Sequence, residues 1–445
     1  MNKLFYGLMV TLLSNQIFAD TSESTPAVVN TNDTYINRNA YLQNPWITST
    51  SAGGTQNVSE SQTINQNFAE KLFTDGTWNF FGTASAQYTG AGAGYPSYAY
   101  GGSVFAQTGQ VAGFSFGGVF EIINPFFVNN LNGYNANMSP FLPSNEQVTL
   151  SEAYLEYQHS NVIQIDAGYI GINNSPWLSE NYYNNAMAPG TTYQGILINV
   201  YLGGGWLLTG LTFNSAQTIS ETGFTSYTFY NKGYDYLGGT IANNNPSVTS
   251  SGTSALGASY AAWDNQYNLR LWGYQFNNYG TLLYADNSIK FQPTKSLSFS
   301  LAAQAGTDNQ LNNTNNALTN DNLGQISSNF IGVQGVISYD WFGLNLGYNN
   351  VWGPSSAYGG GAIVTPYTYG FATDPLYTTP YMSGLADLGT AGTAYKISPT
   401  LTFINGNLSL APAYTNFNTI LAEWNGTQEY DFVASYNVPQ VKGLT

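Results

Sequence analysis

Ser151–Val200 reads SEAYLEYQHSNVIQIDAGYIGINNSPWLSENYYNNAMAPGTTYQGILINV. Its first nine residues alternate, with Ala153, Leu155 and Tyr157 on one side and Glu152, Tyr154 and Glu156 on the other. That is the period of a strand with one apolar and one polar face. His159–Asn161 is a short turn, and the alternation resumes with Ile163, Ile165, Ala167 and Tyr169 against Gln164, Asp166 and Gly168. A long polar stretch at 171–191 then precedes another strand-like segment, so a tight turn at one end is followed by a long loop at the other.

The same grammar runs through the chain. Period-two reading predicts strands near 77–88, 98–107, 110–121, 147–158, 162–170, 192–201, 205–214, 254–263, 266–276, 279–291, 295–306, 326–340, 342–351, 393–404, 407–418 and 427–438. Every second connection is short: Thr108-Gly109, His159–Asn161, Leu202–Gly204, Asp264-Asn265, Gln292–Thr294, Trp341 and Asn405-Gly406. The others are mostly long, at 122–146, 171–191, 215–253, 307–325 and 352–392, while 89–97 and 419–426 are intermediate and Asn277-Asn278 is a short exception. Short turns at one end and long loops at the other define a transmembrane antiparallel β-barrel, an all-β fold. A soluble sandwich has no reason to sort its loops in this way.

Composition agrees. Charged residues are 7% of the chain and aromatics 16%, with 35 tyrosines, against roughly 25% charged in a soluble domain. A water-facing surface so poor in charge associates, whereas a barrel turns that surface to lipid. After Ala19 no apolar run reaches the eighteen or so residues of a spanning helix. The absence of cysteine rules out disulfides, thiolate metal sites and cysteine nucleophiles. The net charge of −15 argues against nucleic-acid binding. No metal or other cofactor is expected.

Lys3 followed by the apolar run Leu4–Leu13 and by Ile17-Phe18-Ala19 has the plan of a secretory signal peptide over 1–19, with Asp20 starting the mature chain. Residues 20–65 are polar and patternless, a flexible lead or a small plug, and 66–445 is the pore domain. Val438–Thr445 reads as a periplasmic turn and the first step of another strand. The expectation is therefore a C-terminally truncated barrel, about 16 strands of 18, with an unpaired seam between the first strand (77–88) and the last (427–438).

The residues that tie these features to a known family are Glu152-Ala153-Tyr154, Ala167-Gly168-Tyr169, Asn174–Trp177 and Pro189–Gly195, together with the lead-in Phe73-Thr74-Asp75-Gly76. In these motifs the chain resembles the OprD-type outer-membrane porins. The resemblance implies an eighteen-stranded monomeric pore, a trimer being the alternative, whose third and seventh outside loops fold inward to constrict it. Here those loops are 171–191 and 352–392. It does not extend to the ladder of channel arginines that draws carboxylates in the better-known members, because this sequence has only Arg38 and Arg270. Nor does Asn181–Asn185 carry the acidic and arginine residues that members often show in the third loop.

The expected function is passive diffusion of small hydrophilic solutes with a weak preference for cations, in an outer membrane where lipid and lipopolysaccharide are the neighbours. A plugged hydrophobic-ligand transporter and a surface adhesin or structural barrel are the alternatives, and catalysis is not expected. His159, the single histidine, sits in a turn, away from the shielded nucleophile a hydrolase needs. The outside-loop acids Glu146, Glu180, Glu221, Asp235, Asp308, Asp321, Asp374, Asp387 and Glu423 face one loop base, Lys232, and acidic rings favour cations. Glu152, Glu156 and Asp166 point inward by alternation, with Arg270 or Lys290 as possible partners across water. Pore-lining candidates are thus Glu152, Glu156, Asp166, Glu180, Arg270, Asp374 and Asp387. The tyrosines and tryptophans read mainly as interfacial girdles.

Overall fold

The computed structural model describes residues 4–14, 76–89, 96–125, 146–178, 191–217, 222–232, 248–311, 316–368, 374–380 and 384–436, apart from the single positions 161, 173, 264 and 405. These contain seventeen strands: β1 Leu4–Ser14, β2 Thr77–Thr89, β3 Pro96–Gln107, β4 Phe114–Pro125, β5 Gln147–His159, β6 Ile163–Ile170, β7 Thr192–Gly203, β8 Trp206–Gln217 and β9 Thr253–Ala262, followed by β10 Tyr267–Phe276, β11 Gly280–Phe291, β12 Leu297–Gln310, β13 Ser327–Tyr339, β14 Phe342–Trp352, β15 Gly392–Phe403, β16 Leu408–Thr419 and β17 Thr427–Tyr436. Each strand from β2 to β17 pairs antiparallel with its chain neighbours, without a crossover. All sixteen expected strands have a counterpart here.

One boundary moved. The strand expected at 110–121 starts at Phe114, because Val111 and Phe114 bridge a turn whose corner residues Ala112 and Gly113 both have positive φ, 51° and 87°. A two-residue hairpin corner of this hand requires that geometry at both positions. Gly109 looked like the turn glycine, but Gly113 carries the corner.

The ring closes differently from expectation. β2 and β17 share no ladder; β1 lies between them, antiparallel to β2 over Gly7–Ser14 and parallel to β17 over Leu4–Tyr6. The seam is therefore occupied rather than unpaired. An apolar run of this length suits a leader, and here its backbone pairs with two edges that would otherwise stand open.

With one sheet closed on itself, the buried face of each strand must be the inside. Along β10, Asn268, Arg270, Trp272, Tyr274 and Phe276 are buried, while Leu271 and Gln275 are exposed. Phe116, Phe120, Leu256, Leu283, Leu301 and Val333 are exposed on the outer face of other strands, as lipid contact requires. At the short-turn end, aromatics gather outside: Trp206 against Tyr260 with ring centroids 4.7 Å apart, Trp263 against Tyr267 at 5.8 Å, and Trp341 against Phe403 at 6.2 Å. This is the girdle expected at a membrane interface.

The short connection at Asn277-Asn278, an exception by sequence, is roofed by its neighbours. Asn278 donates to Thr249 O at 2.7 Å and accepts from Ala317 N at 2.7 Å, and the Asn316 amide reaches Tyr279 O. Asn316 also caps the short helix Ala317–Asn320, accepting from Leu318 N and Thr319 N. A long loop here would collide with the two that already cover it.

Candidate functional site

The described part of the connection after β6 enters the barrel. Asn174 donates to Asn199 Oδ1 at 3.0 Å and Thr209 Oγ1 at 3.1 Å on β7 and β8, and the Ser175 hydroxyl meets Tyr274 OH of β10 at 2.9 Å. Trp177 is fully buried, edge-on to Tyr284 at 6.0 Å and to Phe330 at 5.7 Å. Gly306 stands beside Phe330, where an added Cβ would sit 2.2 Å from the ring, so the missing side chain makes room for that aromatic wall. Residues 174–178 thus lie against the inner wall. Glu180 is outside the described residues.

The connection after β14 also enters. Val364 N donates to Asp308 of β12 at 2.8 Å, Thr378 N and Oγ1 both donate to Asn349 Oδ1 at 3.1 Å, and Lys396 Nζ donates to Thr379 O at 2.7 Å. Tyr377 O would lie 2.6 Å from a Cβ at Gly347, so loop backbone rests directly on the wall there. Tyr367 inserts between Tyr193, Phe213 and Phe276, at 5.9, 5.2 and 6.5 Å. Burial pushes its hydroxyl up to about 12, which leaves it neutral at ordinary pH. Phe229 N donates to Pro366 O at 3.1 Å, and Tyr230 packs on Tyr279 and Tyr358, so the loop after β8 grips the loop after β14.

The sequence candidates separate into three groups. Glu152, Glu156 and Asp166 share the inner face of β5 and β6, and Glu156 is directly opposite Asp166 in register. Gln164 Nε2 donates to both, at 3.1 and 3.0 Å, while Tyr201 OH donates to its Oε1 at 3.3 Å. Gln107 and Ser115 complete the hydrogen bonds to Glu156, at 3.0 and 3.1 Å. Glu156 and Asp166 are thereby held by neutral amides and a hydroxyl. Glu121, Glu429 and Asp431 are also buried on inner faces.

Asp374 and Asp387 lie in the second inward loop, with their carboxylates turned to the loop itself. Asp374 accepts from Leu376 N at 2.8 Å and Thr379 Oγ1 at 2.6 Å, and Asp387 from Gly384 N at 2.8 Å. Burial pushes the Asp374 carboxyl up to about 6, against the opposing pull of Thr379, Leu376 N and Lys396.

Arg270 faces inward as alternation implied, and the partner it shows is a carboxylate on its own neighbouring strand rather than one of β5 or β6. It forms a buried ion pair with Asp286 on the adjacent strand, Nε and Nη2 both engaging one carboxylate, and Tyr284 OH adds a third bond at 2.6 Å. Lys290, the other base considered, is exposed near the turn end of β11. Sequence reading missed Asp286, Tyr284, Gln304, Asn349 and Lys396. Alternation alone places Asp286 inward beside Arg270; nothing local marks the two amides.

No family model and no curated protein matches this chain. Among solved structures, OpdK of Pseudomonas aeruginosa with vanillate aligns at TM-score 0.62 and 13% identity, over 83% of this chain and 91% of that one. A BenF-like porin from Pseudomonas fluorescens Pf-5 aligns at 0.60 and 14%, over 81% and 87%. OccK2 (OpdF) of Pseudomonas aeruginosa with glucuronate aligns at 0.57 and 12%, over 79% and 83%. The fold is therefore that of the OprD-type porins, as the sequence resemblance implied.

Proposed function

We propose, from a barrel of OprD-porin fold with two loops folded into its lumen, that this chain is an outer-membrane porin for passive diffusion of small hydrophilic solutes. The observation that carries the reading is an apolar outer face around an inner face that carries buried acids and amides, with 174–178 and the described parts of the loop after β14 folded against it. The preference is for cations. Supporting this are the inward Glu121, Glu152, Glu156, Asp166, Glu429 and Asp431, which outnumber the inward bases Arg270 and Lys396 on the described wall. Two neighbours were solved with vanillate and with glucuronate, both carboxylate-bearing. Arg270 already holds a carboxylate of its own chain, which argues against carboxylate selection here.

Purified protein in planar bilayers should give stable ohmic steps, with a reversal potential under a salt gradient of cation-selective sign. Absence of steps would overturn the pore, and an anion-selective potential would overturn the charge preference. Glu156→Gln with Asp166→Asn should reduce the preference. Export through a leader cleaved after Ala19 belongs to the same reading and predicts Asp20 as the first residue of the membrane-embedded protein. Sequencing from Met1 instead would leave Leu4–Ser14 in the seam.

A further inference from the structure

Arg270, Asp286, Gln304, Gly332, Asn349 and Ala394 stand directly opposite one another on β10 to β15, forming one inner-face rung across six strands. Their polar groups make a continuous chain. Arg270 binds Asp286, and Tyr284 OH donates to Asp286 at 2.6 Å. The orientation of the Gln304 amide that satisfies both of its ends donates to Tyr284 OH at 3.2 Å and to Pro375 O at 3.3 Å. It also accepts from Asn349 Nδ2 at 3.1 Å and Tyr377 N at 3.0 Å. Asn349 Oδ1 then takes Thr378 N and Oγ1. Gln304 and Asn349 sit on strands separated by β13, and they meet only because Gly332 stands between them. A Cβ there would lie 2.2 Å from Asn349 Nδ2 and 2.7 Å from the end of the Gln304 amide that faces Asn349, its oxygen in this orientation.

Both inward loops hang on this chain. Trp177, in the loop after β6, packs edge-on to Tyr284, while 375–378 of the loop after β14 bonds to Gln304 and Asn349. We infer that Gln304 is a positioning residue that couples the two constricting loops through the gap at Gly332, so that the bore is set jointly by both loops rather than by each alone. The inference rests on the pore reading above. Hydrogen bonds in such a network reinforce one another, and each amide here has both ends committed, so removing one member releases groups on both sides. A loop held only by its own wall contacts would not respond to a change at the other loop's anchor.

The test uses the full-length protein in lipid vesicles, with acrylamide quenching of Trp177 isolated by subtracting the Trp177→Phe background. Asn349→Leu acts at the anchor of the loop after β14 and touches no group on Trp177. Gln304→Met keeps the volume and removes the amide. Both should raise the quenching of Trp177 and shift its emission to the red, and Gly332→Ala should do the same. In bilayers, the same variants should show a changed conductance with added current fluctuation. Wild-type quenching in folded Asn349→Leu and Gln304→Met barrels, as judged by heat-modifiable gel mobility, would overturn the coupling. Altered quenching in a protein that never conducts would leave the coupling standing and sink the pore reading instead.

Discussion

Replacing Arg270 by Met leaves the Asp286 carboxylate in place with its charge partner gone. Arg270 is 4% exposed and Asp286 1%, so solvent does little to screen the pair. Removing one member of such a buried pair costs about 3–5 kcal/mol, because the remaining charge stays desolvated. The Tyr284 hydroxyl does not offset this loss, since its 2.6 Å bond is already made. Replacing both members by apolar residues of similar size avoids the orphan charge and is neutral or stabilising by about 1–4 kcal/mol. Arg270→Met should therefore unfold at markedly lower guanidinium than wild type in detergent, followed by tryptophan emission. Arg270→Met with Asp286→Leu should regain most of that loss. Because the pair carries no net charge, the reversal potential of the double variant should match wild type. A single variant within about 0.5 kcal/mol of wild type, the range of ordinary surface substitutions, would refute the account. So would a double variant less stable than either single one.

The raised carboxyl of Asp374 makes docking of the loop after β14 depend on pH. Its contribution is fully present below the ordinary carboxylate value and is lost as pH rises through about 6, on the order of 3 kcal/mol in all. Current fluctuation should increase from about pH 5 to about pH 8, and an unchanged pH profile in Asp374→Asn would show that another group is responsible. Gly347→Ala should lift the same loop, since the new Cβ would fall 2.6 Å from Tyr377 O, and conductance is the readout. Trp177→Ala empties a fully buried site, which costs about 3–5 kcal/mol in a well-packed core. That variant, like deletion of about 175–188, should widen the pore; identical step sizes would show that this loop does not limit the current.

The strands were legible because every second side chain had to choose between lipid and lumen, a choice that writes itself into residues such as Ile163, Ile165, Gln164 and Asp166. Loop lengths were legible for the same reason, since turns at one end carry no other task. The expectation that the third and seventh outside loops turn inward came from resemblance, and Trp177 and Tyr377 show what physically holds the described parts of them against the wall. Local sequence could not reveal that, because Gln304 and Asn349 become partners only when three strands are laid side by side. Aromatic content misled in part. Trp206, Trp263 and Trp341 do line the interface, but Trp177, Tyr193, Tyr284 and Tyr367 fill the lumen, and composition gives both sets the same signature. The loop acids show a similar limit: Asp374 and Asp387 bond to their own backbone, a local capping use that a count of charges does not distinguish from a ring.

The loops after β8 and β14 hold each other through Phe229 to Pro366, those after β12 and β14 through Tyr358 to Gln325, and Asn316 ties the loop after β12 to Tyr279. Exchanging one of them for the corresponding segment of another barrel would break bonds belonging to the other two. For anyone re-engineering the outer face of this protein, whether to present a peptide or to change what passes, the unit of transplantation is therefore the three segments together with the Asn277–Tyr279 corner beneath them.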